Sequence, residues 1–268
     1  MPLSVVRPRT VRDAAKVLAA DEGARFLGGG TLLVRAANSG DLSIGRLILS
    51  DGLGLDGIRI AGGRAEIGAA ATMASILAEP RLSFLHPVAR EIGGPAVRAM
   101  ATVGGNLFAR TPFGDIAVAL LALGAEVASE DSETSGKLDL EAFLKDRRKA
   151  GRIVTGVSFA LPPEGAFRFA KVTRKHPHGA SVLAIAALLP LAGGKVKGAR
   201  VAYGAMAPTA IRATAVEKAL EGSALDAAAI ARASKVATEG TDPPTDPHAS
   251  AWYRSNVLPV HLARLLKG

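Results

Sequence analysis

The sequence predicts an α+β protein in two parts, divided at Leu161-Pro162-Pro163. Three observations predict it. The first part mixes helical periodicity with short alternating strands, one pair of which forms a hairpin. The second part opens with three strand-like segments, the last two joined by Gly193-Gly194, which reads as an antiparallel sheet followed by amphipathic helices. Two adjacent prolines separate the parts. A chain of 268 residues is long enough to bury a real core. Apolar residues make up 49% but aromatics only 4%, so small side chains, alanine above all, supply much of that core.

The elements are taken in chain order. Thr10-Val11-Arg12-Asp13 is a capping-box variant that opens a helix with Val11, Ala14, Ala15 and Leu18 on one face, closed by Gly23. Arg25-Phe26-Leu27 is a short strand, residues 31–37 a short helix and residues 46–50 a second strand. Gly52-Leu53-Gly54-Leu55-Asp56-Gly57 then matches the dinucleotide-binding spacing, but that fingerprint requires a helix opening on the glycines. The chain continues instead with Ile58-Arg59-Ile60, a turn at Ala61-Gly62-Gly63, and Arg64-Ala65-Glu66-Ile67, an alternating hairpin. The match is accidental. Residues 72–78 and 81–92 read as helices, the second burying Leu82, Leu85, Val88, Ala89 and Ile92. A buried helix spans 116–123, with Asp115 where an N-cap belongs. Residues 129–137 are an exposed hairpin tip and 152–159 a strand. Beyond the prolines come strand-like segments at 167–173, 182–191 and 195–206, amphipathic helices at 210–220 and 225–239, an extended loop at 241–247, and a last helix at 251–266.

Two glycine-rich stretches stand out, Leu27-Gly28-Gly29-Gly30-Thr31-Leu32-Leu33 and Ala101-Thr102-Val103-Gly104-Gly105-Asn106-Leu107. Each has an apolar residue before the glycines and a short polar residue with an apolar one after. Paired glycines let successive backbone N–H groups point into one concavity, and such nests hold anions, phosphates above all. Two of them imply a ligand with two adjacent phosphates. The plainer alternative is a pair of tight turns whose glycines merely supply positive φ.

Composition excludes several function classes. There is no cysteine, which removes disulfides, thiolate nucleophiles and cysteine-held iron–sulfur or zinc sites. The formal charge is +9 and the isoelectric point about 10.2. The densest basic cluster, Lys145-Asp146-Arg147-Arg148-Lys149, is interrupted by an acid, and two Tyr and one Trp cannot interleave aromatics for base stacking, so no nucleic-acid partner is expected. The first residues do not make a signal peptide, and the longest apolar run, 182–192, contains Pro190 and is too short for a membrane span. The expected location is cytoplasmic. His176-Pro177-His178 has no further ligand near it in sequence and reads as a solvated loop, not a metal site. No nucleophile elbow, phosphate-binding Gly-Lys-Ser/Thr or His-Glu-x-x-His appears, so no catalytic residue is assigned. A diphosphate-ligand protein without an acid–base set leaves the chemistry to a cofactor.

Here the sequence resembles a known family. Leu27-Gly28-Gly29-Gly30-Thr31-Leu32-Leu33 resembles the first FAD-pyrophosphate loop of the molybdenum-hydroxylase flavin subunits, the family of carbon monoxide dehydrogenase medium chains and the xanthine dehydrogenase FAD domain. Thr102-Val103-Gly104-Gly105-Asn106-Leu107, with Pro112 and Gly114-Asp115 after it, resembles the second. Arg7-Pro8, Lys171-Val172-Thr173-Arg174 and Ala249-Ser250-Ala251-Trp252-Tyr253-Arg254 fit as well. The resemblance implies a two-subdomain FAD-binding domain of vanillyl-alcohol-oxidase (PCMH) type over residues 1–163, with subdomains about 1–55 and 56–163. It also implies a C-terminal domain over 164–268, with a three-stranded antiparallel sheet and a helical bundle. The backbone from Leu27 and Gly28 through Leu32, and from Thr102 through Asn106, would cradle the FAD phosphates. The Asp115 carboxylate would hydrogen-bond the cofactor and Lys171 would approach the flavin. The implied role is electron transfer within a molybdenum hydroxylase, from the [2Fe–2S] clusters of a small subunit to NAD, quinone or oxygen, beside a molybdopterin-binding large subunit in a dimer of heterotrimers. A flavin-free scaffold and a self-contained flavin oxidase are the alternatives. Departures from the family pattern are Leu32, Gly28, Arg110-Thr111 and His178-Gly179, and those near the flavin bear on the electron acceptor.

Overall fold

The computed structural model describes residues 3–147 and 151–268, so Arg148 and Lys149 of the basic cluster lie outside the described residues. The chain begins with β1 (Ser4–Val6), α1 (Val11–Ala20), β2 (Ala24–Leu27), α2 (Leu33–Asn38) and β3 (Arg46–Leu49). Thr10 caps α1 as its sequence predicts, its hydroxyl accepting from the Asp13 N–H at 3.1 Å. The three strands pair in parallel in the order β1-β3-β2. Strand β1 has no counterpart among the expected elements because its partner lies some forty residues on.

The hairpin forms β4 (Ile58–Ala61) and β5 (Arg64–Gly68). Helix α3 (Met73–Ala78) comes next, with Thr72 and Ser75 closing a reciprocal capping box. The single helix predicted over 81–92 is instead a 3₁₀ segment, Pro80–Leu85, followed by α4 (His86–Arg90). Leu82 departs from helical φ/ψ there, which breaks the run while keeping Leu82, Leu85, Val88 and Ala89 buried. Then come α5 (Pro95–Met100), α6 (Val103–Leu107), α7 (Asp115–Ala122), β6 (Glu126–Glu130), β7 (Ser135–Asp139), α8 (Leu140–Lys145) and β8 (Ile153–Ala160). The strands from β4 to β8 make an antiparallel sheet of order β4-β5-β8-β6-β7.

The third sheet combines β9 (Phe167–Thr173) and β10 (Ser181–Leu188) with β13 (Arg200–Gly204) and β14 (Ile211–Arg212), in the antiparallel order β14-β13-β10-β9. Four strands thus replace the expected three. Gly193-Gly194, both at positive φ, turn a separate small ribbon, β11 (Leu191–Ala192) with β12 (Lys195–Val196), and do not join the sheet strands directly. Helices α9 (Thr214–Leu220), α10 (Ala227–Lys235) and α11 (Ala251–Lys267) complete the chain.

The abundance of alanine has a packing reason in β10. Its Leu183, Ile185 and Ala187 face Val216, Leu220, Leu258 and Leu262 of the helical bundle, whereas Ala184 and Ala186 join the core around α7. A Cβ on Gly204 would lie 2.7 Å from Val118 of α7. Small residues therefore let a helix buried along all eight of its residues lie flat on the sheet. The all-apolar pattern of 116–123 is the sequence trace of that burial.

Arg254 is the largest fully buried side chain and seats α11. Its guanidinium donates to the carbonyls of Val182, Pro244 and Ala249 and to the Asp246 carboxylate at 2.9 Å. Burial pushes the Asp246 pKa up, but amide hydrogen bonds from His248 and Ala249 and the Arg254 charge outweigh it, and the net shift is below the usual 3.8. The unfolded chain therefore protonates Asp246 first. This contribution to stability is complete above pH 3.8 and is lost as the pH falls from there through the folded value. The expected result is a denaturation midpoint that declines in that window, with the decline reduced in Asp246→Asn. A midpoint equally pH-dependent in both proteins would dismiss the clasp as the cause.

Candidate cofactor site

The two glycine-rich stretches, about seventy residues apart in sequence, touch. A Cβ on Gly29 would stand 1.5 Å from the Met100 carbonyl oxygen, and one on Gly28 would stand 2.6 Å from the Thr102 hydroxyl. Glycine at 29 is thus required by the approach of another backbone, over and above any turn conformation. The first stretch leaves β2 at Leu27 and enters α2 at Leu33, with Gly30 at φ 71°. Among the described residues, the N–H groups of Gly28, Gly29, Gly30, Thr31 and Leu32 donate to no acceptor. These are five consecutive half-exposed amides without a partner among the described residues, a chemistry able to accept an anion.

The second stretch is built differently. It is the helix α6, with Thr102 as its N-cap. Val103 and Gly104 donate to the carbonyls of Ala71 and Ala69, Gly105 to the Thr102 hydroxyl and Asn106 to the Thr102 carbonyl. These four amides are committed within the protein, so the open nest predicted there is not present. This stretch presents the Thr102 N–H, to which no acceptor is bonded among the described residues, and the Asn106 carboxamide, held by its own bond to the Thr102 carbonyl at 2.9 Å. Gly104 is glycine because a Cβ would stand 2.9 Å from Ala69.

Asp115 does not cap α7. Gly114, at φ 98°, occupies the N-cap position and no side chain caps the helix. The Asp115 carboxylate instead accepts from Lys171 Nζ at 2.8 Å and from the Ser181 hydroxyl at 2.7 Å. Lys171 also donates to the Glu91 carbonyl at 2.8 Å. Both ionic side chains are nearly inaccessible, 4% for Lys171 and 8% for Asp115. The structure thus brings together the two charged residues predicted to meet the cofactor and pairs them with each other, leaving one ammonium hydrogen uncommitted among the described residues. Ser181 and Glu91 were invisible in the sequence, since a lone serine and a backbone carbonyl carry no local signal.

A groove of about 400 Å³ opens on the five-stranded sheet, lined by Gly54, Gly57, Gly68, Gly156 and Ala128 among others. Gly68, Gly156 and Ala128 are register partners across β5, β8 and β6, so three adjacent strands share a row with no side chain beyond a methyl. Only the cross-strand register shows this. The 54–57 segment lies across one end of that row, where a Cβ on Gly68 would stand 2.1 Å from the Leu55 carbonyl oxygen. Among the described residues no group of histidines and carboxylates is placed to hold a metal, and no helix is long and apolar enough to cross a membrane.

Comparison with known proteins gives the family of the chain. Residues 1–162 match the model of the FAD binding domain in molybdopterin dehydrogenase, and residues 167–268 that of the CO dehydrogenase flavoprotein C-terminal domain. The carbon monoxide dehydrogenase medium chain of Afipia carboxidovorans is 29% identical over 272 residues, which cover 97% of this chain and 94% of that protein. The glyceraldehyde dehydrogenase medium chain of Sulfolobus acidocaldarius is 28% identical over 277 residues, covering 98% of this chain and 97% of the relative. A chain of the reconstituted CO dehydrogenase from Oligotropha carboxidovorans superposes with a TM-score of 0.90 at 28% identity, covering 100% of this chain and 98% of the other.

Proposed function

This chain belongs to the family of FAD-binding domains in molybdopterin dehydrogenases, and on that premise we propose that it is the electron-transfer subunit of a molybdenum hydroxylase. It is an oxidoreductase component, with FAD as its cofactor. In this reading residues 1–163 hold the cofactor and residues 164–268 form the second domain. Bound FAD would supply the redox chemistry between the [2Fe–2S] clusters of a small subunit and an acceptor, which would be NAD, quinone or oxygen. A molybdopterin-binding large subunit would carry the substrate chemistry, and the whole would form a dimer of heterotrimers. The absence of cysteine fits this division, because the clusters must then reside on another chain.

One observation carries the reading: among the described residues, five consecutive N–H groups, from Gly28 through Leu32, stand without an acceptor beside the Thr102 segment. They match in chemistry the diphosphate of FAD, which has no hydrogen to donate and many oxygens to accept. Thr102 and Asn106 flank that place, with Val103 and Gly104 packed behind them and Gly105 exposed at the surface. Leu32 contributes only its amide, since its side chain has no polar atom. The uncommitted hydrogen of Lys171 is available to the flavin, and Asp115 holds the ammonium that carries it.

The test is the visible spectrum of the purified chain, followed by acid release and identification of the chromophore. The expected result is the two-banded spectrum of an oxidised flavin and FAD in the supernatant. A chain that stays colourless after incubation with FAD would overturn the reading and leave the flavin-free scaffold in its place.

A further inference from the structure

We propose that Trp252, Tyr253, Arg174 and Lys175 form a docking face for an acidic surface of another protein subunit. The proposal rests on the reading of this chain as one member of a complex. Trp252 is the only tryptophan in the sequence, and it stands 72% exposed in the first turn of α11, with Tyr253 exposed beside it. Neither helps to seat the helix, which is held by the buried Arg254, Leu258, Leu262 and Leu266. A chain so poor in aromatics leaves its largest one in water, without an intramolecular packing reason.

Hydrogen bonds tie together the segments that carry these residues. Arg174 Nη1 donates to the Pro247 carbonyl at 3.1 Å, tying the β9–β10 loop to the turn that precedes Trp252. Asp246 accepts from the amides of His248 and Ala249 and from Arg254, which fixes that turn from within. Arg174 and Lys175 are both exposed, and among the described residues neither forms an ion pair. Asp246, the carboxylate of that turn, is committed to Arg254.

Tryptophan, tyrosine and arginine are the residue types that dominate binding energy at protein interfaces, and they do so most effectively when held in place beforehand. Uncompensated cations at the edge select the sign of the partner and speed its approach. The overall charge of +9 acts in the same direction. An acidic protein face complements both parts of this surface. An anionic lipid surface would satisfy the cations as well, and a second copy of this basic chain would be repelled by them.

The single tryptophan makes the test direct. In the complex assembled with co-expressed partner subunits, the emission lost on Trp252→Phe, which isolates Trp252 from any tryptophan of the partners, should lie to the blue of its position in the free chain and be largely inaccessible to acrylamide. Trp252→Ala and Lys175→Glu should each weaken assembly by about tenfold or more, with FAD content unchanged. Lys175→Glu guards against misfolding as the cause, since Lys175 is exposed and makes no ion pair among the described residues. The wild-type affinity should fall as salt rises. Full acrylamide access in the complex, or unchanged affinity in both variants, would overturn the docking face. So would an emission shift produced by phosphatidylserine vesicles, or by self-association, and not by the subunits. Failure of the parent reading looks different: the wild-type chain would hold no FAD or would not assemble at all.

Discussion

Gly29→Ala is expected to abolish FAD retention and to lower stability by about 3 kcal/mol. The added methyl would stand 1.5 Å from the Met100 oxygen and 2.3 Å from its carbonyl carbon. Both are main-chain atoms, so no rotamer change relieves the overlap. Either the 27–33 segment lifts away or the end of α5 moves, and each shift separates the five free amides from Thr102. A control isolates this cause. Gly136→Ala adds a methyl in open space on the exposed strand β7, outside the left-handed region, and should change stability by no more than about 0.5–1 kcal/mol, in the stabilising direction. The measurements are urea midpoints and flavin content per chain. A Gly29→Ala protein that keeps both would show that the two segments do not pack as described.

Gly29 also shows what a sequence can and cannot disclose. That a glycine stands there, and that its neighbours could bind an anion, is legible within seven residues. Why it must be glycine depends on Met100, which no local pattern connects to it. The same division runs through the fold. Thr10 as the cap of α1 and the β4–β5 hairpin are local arrangements, and both were legible. Strand β1 pairs in parallel with β3, and β14 is a two-residue strand recruited by β13; neither leaves a periodic trace. Helix α5 did carry a signal, Pro95 in its first turn, but its six residues were too short to register as a period. At the site, the first glycine stretch keeps its amides open among the described residues, as its glycines suggest. The second does not, because hydrogen bonds to Ala69 and Ala71 commit amides that the sequence alone leaves open. Asp115 offered capping or ligand contact; the partner that decides its position, Lys171, lies 56 residues away.

Lys171→Met is expected to destabilise the protein by about 3–5 kcal/mol, because it leaves the Asp115 carboxylate buried with only the Ser181 hydroxyl to answer its charge. Asp115→Asn should cost a similar amount by stranding the ammonium. The pair joins the start of α7 to β9 of the third sheet, so the loss should appear in cooperative unfolding of the whole chain and not in local fraying. Desolvation of two ions offsets much of their attraction, so a buried pair is worth far less than the cost of breaking it. The double variant Asp115→Leu with Lys171→Met should therefore recover most of the stability lost in either single variant. The coupling energy in that cycle measures the interaction directly. Its flavin content then separates two roles for the same residues. A double variant that is stable but releases FAD places Lys171 and Asp115 at the cofactor, whereas one that is stable and retains FAD unchanged reduces the pair to a strut between the two parts of the chain. Single-variant losses below about 1 kcal/mol would mean that water reaches the pair and that its burial does not govern the energetics.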